Sequence, residues 1–384
     1  MILPRLPKRR RKARSDAREA AAVLSYRQLM WRRFRKHRLA AAGGVILIVL
    51  YLTAMFCGFV GPYGSHERVR RYINAPPQRI RFFGRDGFHL RPFVYGLKLE
   101  VDGDNFRRIY AIDESRVYPV RFFVRGERYR LLGLLETDVH LFGVERDRYA
   151  GDPGTLFLFG SDSLGRDLFS RILRGARISL SVGLVGVALS FIIGCTLGSI
   201  SGYYGGKADT VIQRVIEFIV SIPQLPLWMA LSAALPRDWP TIGVYFGITI
   251  ILSLVGWCGL ARVVRGQILQ LRDQDYVTAA RCAGASDSWL IFRHLLPSTM
   301  SYLIVAITLA IPGMILGETA LSFLGLGIQE PAISWGTLLK DAQNVRTVAT
   351  YPWLMIPGAF VVLAVMSFNF VGDGLRDAVD PHAR

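Results

Sequence analysis

The amino-acid sequence predicts an all-α polytopic membrane protein with six transmembrane helices and a β-rich insertion between the first and second. Three observations lead to this fold class. Hydrophobic residues make up 51% of the 384 residues, and six apolar runs punctuate the chain. Each run approaches the roughly 20 residues that cross a bilayer, and a polar stretch at residues 61–160 separates the first from the second. An ordinary soluble domain is excluded.

Residues 1–38 form a basic tail before the first run, residues 39–60. The net charge of +18 could suggest nucleic acid, but much of it lies in this tail and not on a folded platform, so we expect no nucleic-acid partner. Lysine and arginine beside a span stay on the cytoplasmic side. We therefore expect both termini in the cytoplasm. The first run is longer than the apolar part of a signal peptide, which predicts a retained helix.

Residues 61–160 are too long for a simple connection and predict a small extracytoplasmic domain. Four patches in this stretch are rich in aromatic and branched residues and are separated by turn signals at residues 84–87, 102–104 and 126–127, which predicts a β-rich insertion. The patches are residues 79–83, 88–101, 118–124 and 129–135. The insertion's three histidines and the chain's four scattered cysteines lack metal-ligand spacing, so we expect no metal and no cofactor.

Residues 161–384 contain the other five runs and predict the helical core. The runs are residues 178–200, 211–235, 242–264, 302–326 and 353–371. Prolines such as Pro223 and Pro312 predict kinked or broken helices around an enclosed space. Arginines between the fourth and fifth of the six runs place that loop in the cytoplasm. Lys207 and Arg214 conflict with our expectation that the turn after the second run lies outside.

The most informative segment is residues 273–297. Helix-favouring Ala279, Ala280 and Ala283 precede a helix-breaking Gly284, and a second short helix leads to a Leu-Pro pair at Leu296 and Pro297. This order predicts a helix-turn-helix on the membrane surface, small enough on one face to dock in a groove of another protein. A generic amphipathic interface helix is the alternative.

This order resembles the EAA loop of the permeases of binding-protein-dependent ABC importers. Thr278 stands where that family usually has glutamate, which weakens any charged contact there. Residues 291–297, Ile-Phe-Arg-His-Leu-Leu-Pro, resemble the variant of the oligopeptide and dipeptide branch. Further stretches that resemble this branch are residues 160–179, 202–209, 318–327 and 334–339.

The resemblance implies the type I permease fold of ABC importers, in the bacterial inner membrane. It implies a second homologous permease subunit, two cytoplasmic ATPase subunits, an extracytoplasmic solute-binding protein and lipid as partners. The ATPase-coupling residues it implies are Thr278, Ala279, Ala280, Ala283, Gly284, Arg293, Leu296 and Pro297. The implied solute is a peptide translocated by alternating access, although related permeases carry nickel, opines or sugars.

No catalytic residue is expected in this chain. Residues 202–207 end in Gly-Gly-Lys, but Ser201 replaces the first glycine of a phosphate-binding loop and Ala208 follows the lysine. ATP hydrolysis is therefore expected on another chain. An ion-driven carrier would show internal repeats with matched broken helices, which we do not find. A membrane-anchored enzyme is a third class, but the acids of the insertion form no recognisable catalytic motif.

Two glutamates fall inside apolar runs, Glu217 in the third and Glu318 in the fifth. Ionisable side chains are costly within a membrane and often mark a pathway. We expect a structural hydrogen-bonding role for both, with a place on the substrate path as the alternative.

Overall fold

The computed structural model describes residues 26–84, 87–101, 108–145, 154–236 and 238–379, with side chains from residue 30 onward. Within these residues, five helices are long and apolar enough to cross a membrane, and a bent helix pair brings the number of possible spans to six. The helices, in chain order, are α1 (Tyr26–Lys36), α2 (Arg38–Met55), α3 (Cys57–Val60), α4 (Leu168–Tyr204), α5 (Gly206–Ser221), α6 (Gln224–Ala233), α7 (Thr241–Leu271), α8 (Asp275–Cys282), α9 (Asp287–Leu290), α10 (Leu296–Ser298), α11 (Met300–Phe323), α12 (Trp335–Leu339), α13 (Val345–Thr350) and α14 (Ile356–Val379).

The second predicted run is part of a longer helix. α4 begins at Leu168, ten residues before the predicted start, because the Asp167 side chain caps it by accepting a hydrogen bond from the Ser170 amide at 2.8 Å. With 37 residues, α4 rises about 55 Å. That exceeds the roughly 30 Å of a bilayer's hydrocarbon core, so α4 extends beyond the membrane at one end or both.

The third predicted run is two helices and not one straight span. α5 and α6 meet at an angle of 87°. Ile222 is extended at the junction and Pro223 follows it. The residue before a proline is disfavoured in the α region, and proline lacks the amide that would continue the ladder. Pro312, in contrast, lies within the continuous helix α11.

Glycines bring α4 and α7 into backbone contact. Gly194, Gly198 and Gly202 repeat every four residues on one face of α4. A β-carbon added at Gly198 would lie 2.6 Å from the Ala261 carbonyl oxygen, and one at Gly202 would lie 2.7 Å from that of Arg265. Small residues at this spacing let helices approach closely where lipid supplies no hydrophobic drive. We call this contact the glycine seam.

The β-rich insertion is confirmed as a four-stranded antiparallel sheet in the order β1-β2-β3-β4. The strands are β1 (Arg81–Gly84), β2 (Gly87–Val101), β3 (Arg108–Leu131) and β4 (Leu135–Val144). The third and fourth predicted patches largely belong to one strand, β3, because the turn expected at residues 126–127 is instead a register shift between Arg125 and Tyr129. β4 was not predicted over most of its length. The turn expected at residues 102–104 lies outside the described residues.

Buried polar side chains fix the sheet to the chain that enters and leaves it. The His140 ring contacts the carbonyl oxygens of Gly61, at 2.7 Å, and Glu127, at 3.1 Å. The Gln78 side chain accepts from the Phe157 amide at 2.7 Å and donates to the Tyr95 carbonyl at 3.1 Å. The sheet is therefore bonded to the residues that follow α3 and to those that precede α4.

The turn between α4 and α5 lies beside residues 273–297, not at the opposite end of the bundle. Tyr203 in α4 hydrogen-bonds Asp287 in α9 at 2.6 Å. The turn and residues 273–297 therefore lie at the same end of the bundle, so the expectation of one outside and the other in the cytoplasm was wrong. Two crossings return the chain to the side on which it started, so a cytoplasmic N-terminus would remove the conflict posed by the charges of Lys207 and Arg214.

Candidate functional site

Residues 273–297 form a helix-turn-helix in which Gly284 is the turn. The Gly284 amide donates to the Arg281 carbonyl at 2.9 Å, and the Ala285 amide donates to that of Ala280 at 3.1 Å. These two bonds form the Schellman motif that closes a helix. Gly284 has φ of +86°, a left-handed conformation that glycine adopts without steric cost. An added β-carbon would meet nothing within 4 Å, so the turn is exposed.

One side of the segment is anchored in the bundle. Val277, Leu290 and Leu295 are each fully buried and pack in a cluster with Val264 and Ile268 of α7. Complete burial of such side chains contributes about 1.5–3 kcal/mol each. The segment is therefore fixed to the end of α7 and does not hang free.

Polar contacts join both arms of the segment to the end of α4. The Tyr203 hydroxyl donates to Asp287 Oδ1 at 2.6 Å and accepts from Arg281 Nε at 3.1 Å. The Arg281 guanidinium also lies 4.9 Å from the centre of the Tyr203 ring. Arg272 donates to the Gly202 carbonyl at 3.1 Å. One tyrosine thus holds the arm before Gly284 and the arm after it.

An ion pair holds the turn between α4 and α5. Arg265 of α7 donates through two nitrogens to the two carboxylate oxygens of Asp209, each at 2.6 Å. Bidentate pairs of this kind fix orientation as well as distance. The ends of α4, α5 and α7 and the segment therefore form one connected unit.

The other side of the segment is an exposed surface of small and aromatic residues. The residues predicted for partner docking lie there: Thr278, Ala279, Ala283, Gly284, Arg293 and Pro297 are exposed, and Ala280 and Leu296 are partly buried. Sequence reasoning missed three exposed aromatic residues, Tyr276, Trp289 and Phe292. The sequence feature that could have indicated them is the presence of aromatic residues in an otherwise charged loop. Exposed apolar groups rimmed by polar ones are typical of a protein-protein contact.

The two membrane glutamates occupy different environments. Glu318 is fully buried and accepts hydrogen bonds from Ser179 at 3.0 Å and Ser322 at 2.7 Å. Glu217 lies on the surface of α5 and pairs with Arg214 at 2.7 Å. The structure does not bring them together. In the described part of the chain, no group of three or more potential metal ligands occurs.

At the start of α4, a charged network joins parts of the chain distant in sequence. Arg166 Nε lies 2.6 Å from Asp162 Oδ2, and Arg166 and Arg171 both reach Glu330, at 2.8 and 2.6 Å. Both arginines are buried. Burial acts to raise the pKa of Glu330, but hydrogen bonds from Arg166 and Arg171 outweigh it and lower the pKa to about 2. No local pattern in the sequence indicates this pairing.

The helix cap Asp167 gives a pH prediction. Burial raises the pKa of Asp167 to about 7, against partial lowering by its hydrogen bonds with Ser170. Since an unfolded aspartate has a pKa of about 3.9, the folded state holds the extra proton between about pH 4 and 7. Stability should therefore fall as pH rises through that window, by at most about 1.4 kcal/mol per pH unit.

Replacing Asp167 tests this slope. Asp167→Asn keeps a capping oxygen and removes the titration, so the thermal midpoint of the purified complex should gain on the wild type as pH rises from about 4 to 7. Glu100→Gln, on the exposed edge of β2, is the control and should leave the slope unchanged. An equal slope in wild type and Asp167→Asn would contradict the assignment.

A cleft lies between α4, α6, α7 and α11. Its volume is about 600 Å³, and small or apolar residues line most of it, including Gly256, Gly313 and Met314. Its polar lining residues are Ser190, Gln224 and Trp228, and among the described residues no charged side chain lines it. Neither Glu217 nor Glu318 is part of the lining.

Comparison with known proteins identifies the class. A family model described as "Binding-protein-dependent transport system inner membrane component" matches residues 194–384. Another, "N-terminal TM domain of oligopeptide transport permease C", matches residues 25–77. The fold and these matches define a multi-pass membrane component of a transport system and not an enzyme.

Individual relatives agree. The dipeptide transport system permease protein DppC of Bacillus subtilis (strain 168) is 32% identical over 373 residues, 96% of this chain and 90% of that protein. The oligopeptide transport system permease protein OppC of the same organism is 42% identical over 227 residues, 59% of this chain and 72% of that protein. The chain belongs to the binding-protein-dependent ABC permease family, in its oligopeptide and dipeptide branch.

Among solved structures, the MetNI methionine ABC transporter in an inward-facing conformation has 18% sequence identity and a TM-score of 0.42. The match covers 55% of this chain and 96% of that one.

Proposed function

We propose that this chain is one of two membrane subunits of an ATP-driven importer of peptides in the bacterial inner membrane. A second, homologous permease completes the translocation path, two cytoplasmic ATPase subunits supply the energy, and an extracytoplasmic binding protein delivers the solute. The observation that carries the proposal is the exposed surface around Gly284, which stands on a base fixed to α4 and α7.

The segment 273–297 is the docking site for an ATPase subunit. Its exposed face combines small residues, which permit close approach, with the aromatic side chains of Tyr276, Trp289 and Phe292, residue types enriched at interfaces. Thr278 is exposed and uncharged, so contact at this position does not depend on the glutamate that relatives usually carry.

Motion of the docked segment passes into the membrane helices through its anchors. Tyr203 and Arg272 connect it to α4, and the buried residues around Val277 connect it to α7. ATP binding and release on the partner subunits bias two states of the bundle, because only those subunits bind nucleotide differently in each state.

The Tyr203 contacts give a prediction for local stability. Tyr203→Phe removes a hydroxyl that bonds one charged group on each arm, and such a bond is worth about 1.5–3 kcal/mol when well formed. Hydrogen exchange of residues 275–290 in the intact complex should become several-fold faster, since local opening requires less free energy. Tyr204→Phe, at the exposed neighbouring position, should leave exchange unchanged. Equal exchange rates in the two variants would show that the Tyr203 hydroxyl does not hold the two arms of the segment.

The solute is a peptide. Relatives named for oligopeptide and dipeptide transport support this, and so does the cleft. Its uncharged lining imposes no selection by side-chain charge, which suits a class of solutes that share a backbone and vary in their side chains. A path for nickel would need carboxylate, imidazole or thiolate ligands, and the described lining has none.

Both termini and the segment 273–297 lie in the cytoplasm, and the β-sheet lies outside. The basic tail before α2 supports this orientation. Glu318 has a structural role, since its carboxylate is fully buried and bonded to two serines. Glu217 has a structural role as well, because its carboxylate pairs with Arg214.

Native Cys282 offers a direct test, because it is exposed in the segment whereas Cys57, Cys195 and Cys258 are buried. A maleimide carrying a photoreactive group is attached to Cys282 in the complex purified with its copurifying subunits. Illumination should link this chain to the ATPase subunit, and Cys282→Ser should abolish the product. Labelling of Cys282 from the outside of sealed cells, or no link to a nucleotide-binding subunit, would overturn the proposal.

Uptake into proteoliposomes tests the solute separately. With the binding protein and internal ATP, labelled di- and oligopeptides should accumulate, whereas nickel and sugars should not. ATP-dependent accumulation of nickel or a sugar in place of peptides would refute the peptide assignment and leave the docking site intact.

A further inference from the structure

The turn joining β3 and β4 is an exposed apolar tip, residues 131–135, Leu-Leu-Gly-Leu-Leu. Leu132, Leu134 and Leu135 are 49%, 84% and 67% exposed. Leu132 and Gly133 both have positive φ, as a tight turn requires, and the side chains of Leu134 and Leu135 are mostly uncovered by the rest of the chain. Exposing apolar surface to water costs about 25 cal/mol per Å². A tip of this composition is more stable in an apolar environment than in water.

The tip lies against the end of a membrane helix. Leu131 shares a groove of about 460 Å³ with residues from Leu52 to Val60, namely Leu52, Thr53, Phe56, Phe59 and Val60. This groove continues the exposed apolar flank of α2, which carries Val45, Ile48 and Val49. The tip is therefore continuous with a surface that faces lipid.

The length of α2 sets the depth of the tip in the bilayer. Its 18 residues rise about 27 Å, close to the roughly 30 Å hydrocarbon thickness. When α2 spans the core, its C-terminal end at Met55 lies near the outer boundary of the hydrocarbon. Leu131 lines the same groove as Leu52 and Phe56 at this end, so we place the neighbouring leucines at about the same level.

Two features fix the hairpin at this level. His140 of β4 bonds to Gly61, and the rings of Phe59 and Phe123 are 6.3 Å apart. Immediately behind the tip, Arg130 and Glu136 form an exposed ion pair at 3.1 Å. These charges are adjacent in sequence to the leucines of the tip, so they reach the polar headgroup layer when the tip lies at the edge of the hydrocarbon.

We propose that the β3–β4 tip inserts into the outer leaflet, where Leu132, Leu134 and Leu135 contact phospholipid acyl chains. The sheet thereby has a second membrane contact besides the chain entering and leaving it. The tip reaches the outer leaflet only if α2 crosses the membrane, as in the proposed function. The identity of the solute has no bearing on it. Coverage of the tip by a second permease subunit or by the binding protein is the alternative, and the experiment separates contact with protein from contact with lipid.

Spin labels report the environment directly in the complex reconstituted in phospholipid nanodiscs. In a Cys282→Ser background, Leu134→Cys is labelled and its collisions with oxygen, which concentrates in lipid, are compared with those of a water-soluble nickel chelate. Ile48→Cys on the lipid flank of α2 is the positive reference. Val101→Cys, 60% exposed at the opposite end of β2 and β3, is the aqueous reference.

At Leu134, oxygen collisions should exceed nickel collisions as they do at Ile48, with the ratio reversed at Val101. Leu132→Cys repeats the measurement if the Leu134 variant does not assemble. Preference for the nickel chelate would show that the tip is in water, and low accessibility to both reagents would show a protein contact. Either result overturns the proposal.

Discussion

Replacing Gly284 with leucine is expected to abolish most ATP-driven uptake while the chain still reaches the membrane. The backbone at Gly284 has φ of +86°, a conformation that costs about 1–2 kcal/mol for a residue with a β-carbon. The leucine side chain would also project from the turn into the space that the proposed ATPase contact occupies. A docking penalty of about 1.4 kcal/mol already weakens binding tenfold. We therefore expect uptake to fall by about tenfold or more.

A matched variant separates backbone strain from lost docking. Gly87 has φ of +105° and equally open surroundings, but it lies at the start of β2. Gly87→Leu introduces comparable strain in the sheet and should retain uptake. Peptide uptake and peptide-stimulated ATP hydrolysis are measured for both variants in proteoliposomes. Full coupling in Gly284→Leu would remove the segment from the energy-transfer route.

The second large effect is on stability. Arg166→Ala should destabilise the folded chain by about 3–5 kcal/mol, because it leaves the buried carboxylate of Asp162 without its closest cation and weakens the hold on Glu330. The expected result is a marked drop in the thermal midpoint of the purified complex.

The chain supplies its own comparison. Arg121 and Glu145 of the sheet region form a pair of similar length, 3.0 Å, with both side chains exposed. Arg121→Ala should cost about 0–1 kcal/mol, because solvent screens an exposed pair. If the two substitutions lower the midpoint equally, burial is not what gives the Arg166 network its strength.

Much of the fold could be predicted because the bilayer limits the choices. Spanning helices require long apolar runs, so the order of the helical elements and the approximate position of most of them follow from composition. The turn at Gly284 could be located because few residues other than glycine adopt positive φ there. The insertion was assigned as β-rich from its aromatic and branched patches.

Long-range geometry could not be predicted. The start of α4 was missed because Arg171, Arg174 and Arg177 interrupt the apolar run, although the first is buried by pairing with Glu330. That partner lies far along the chain, where no local pattern points to it. The 87° bend at Pro223 shows the same limit, since proline predicts a break but not its angle. In the candidate site, sequence located the small residues, whereas the exposure of Trp289 and Phe292 depended on which side of the segment packs against α7.

We expect the glycine seam to govern how a displacement travels through this subunit. No side chain separates α4 from α7 at Gly198 and Gly202, so sliding one helix along the other would drive backbone atoms into collision. We therefore expect α4 and α7 to move together as one rigid unit. A displacement at one end would then change the tilt of both helices at the other end.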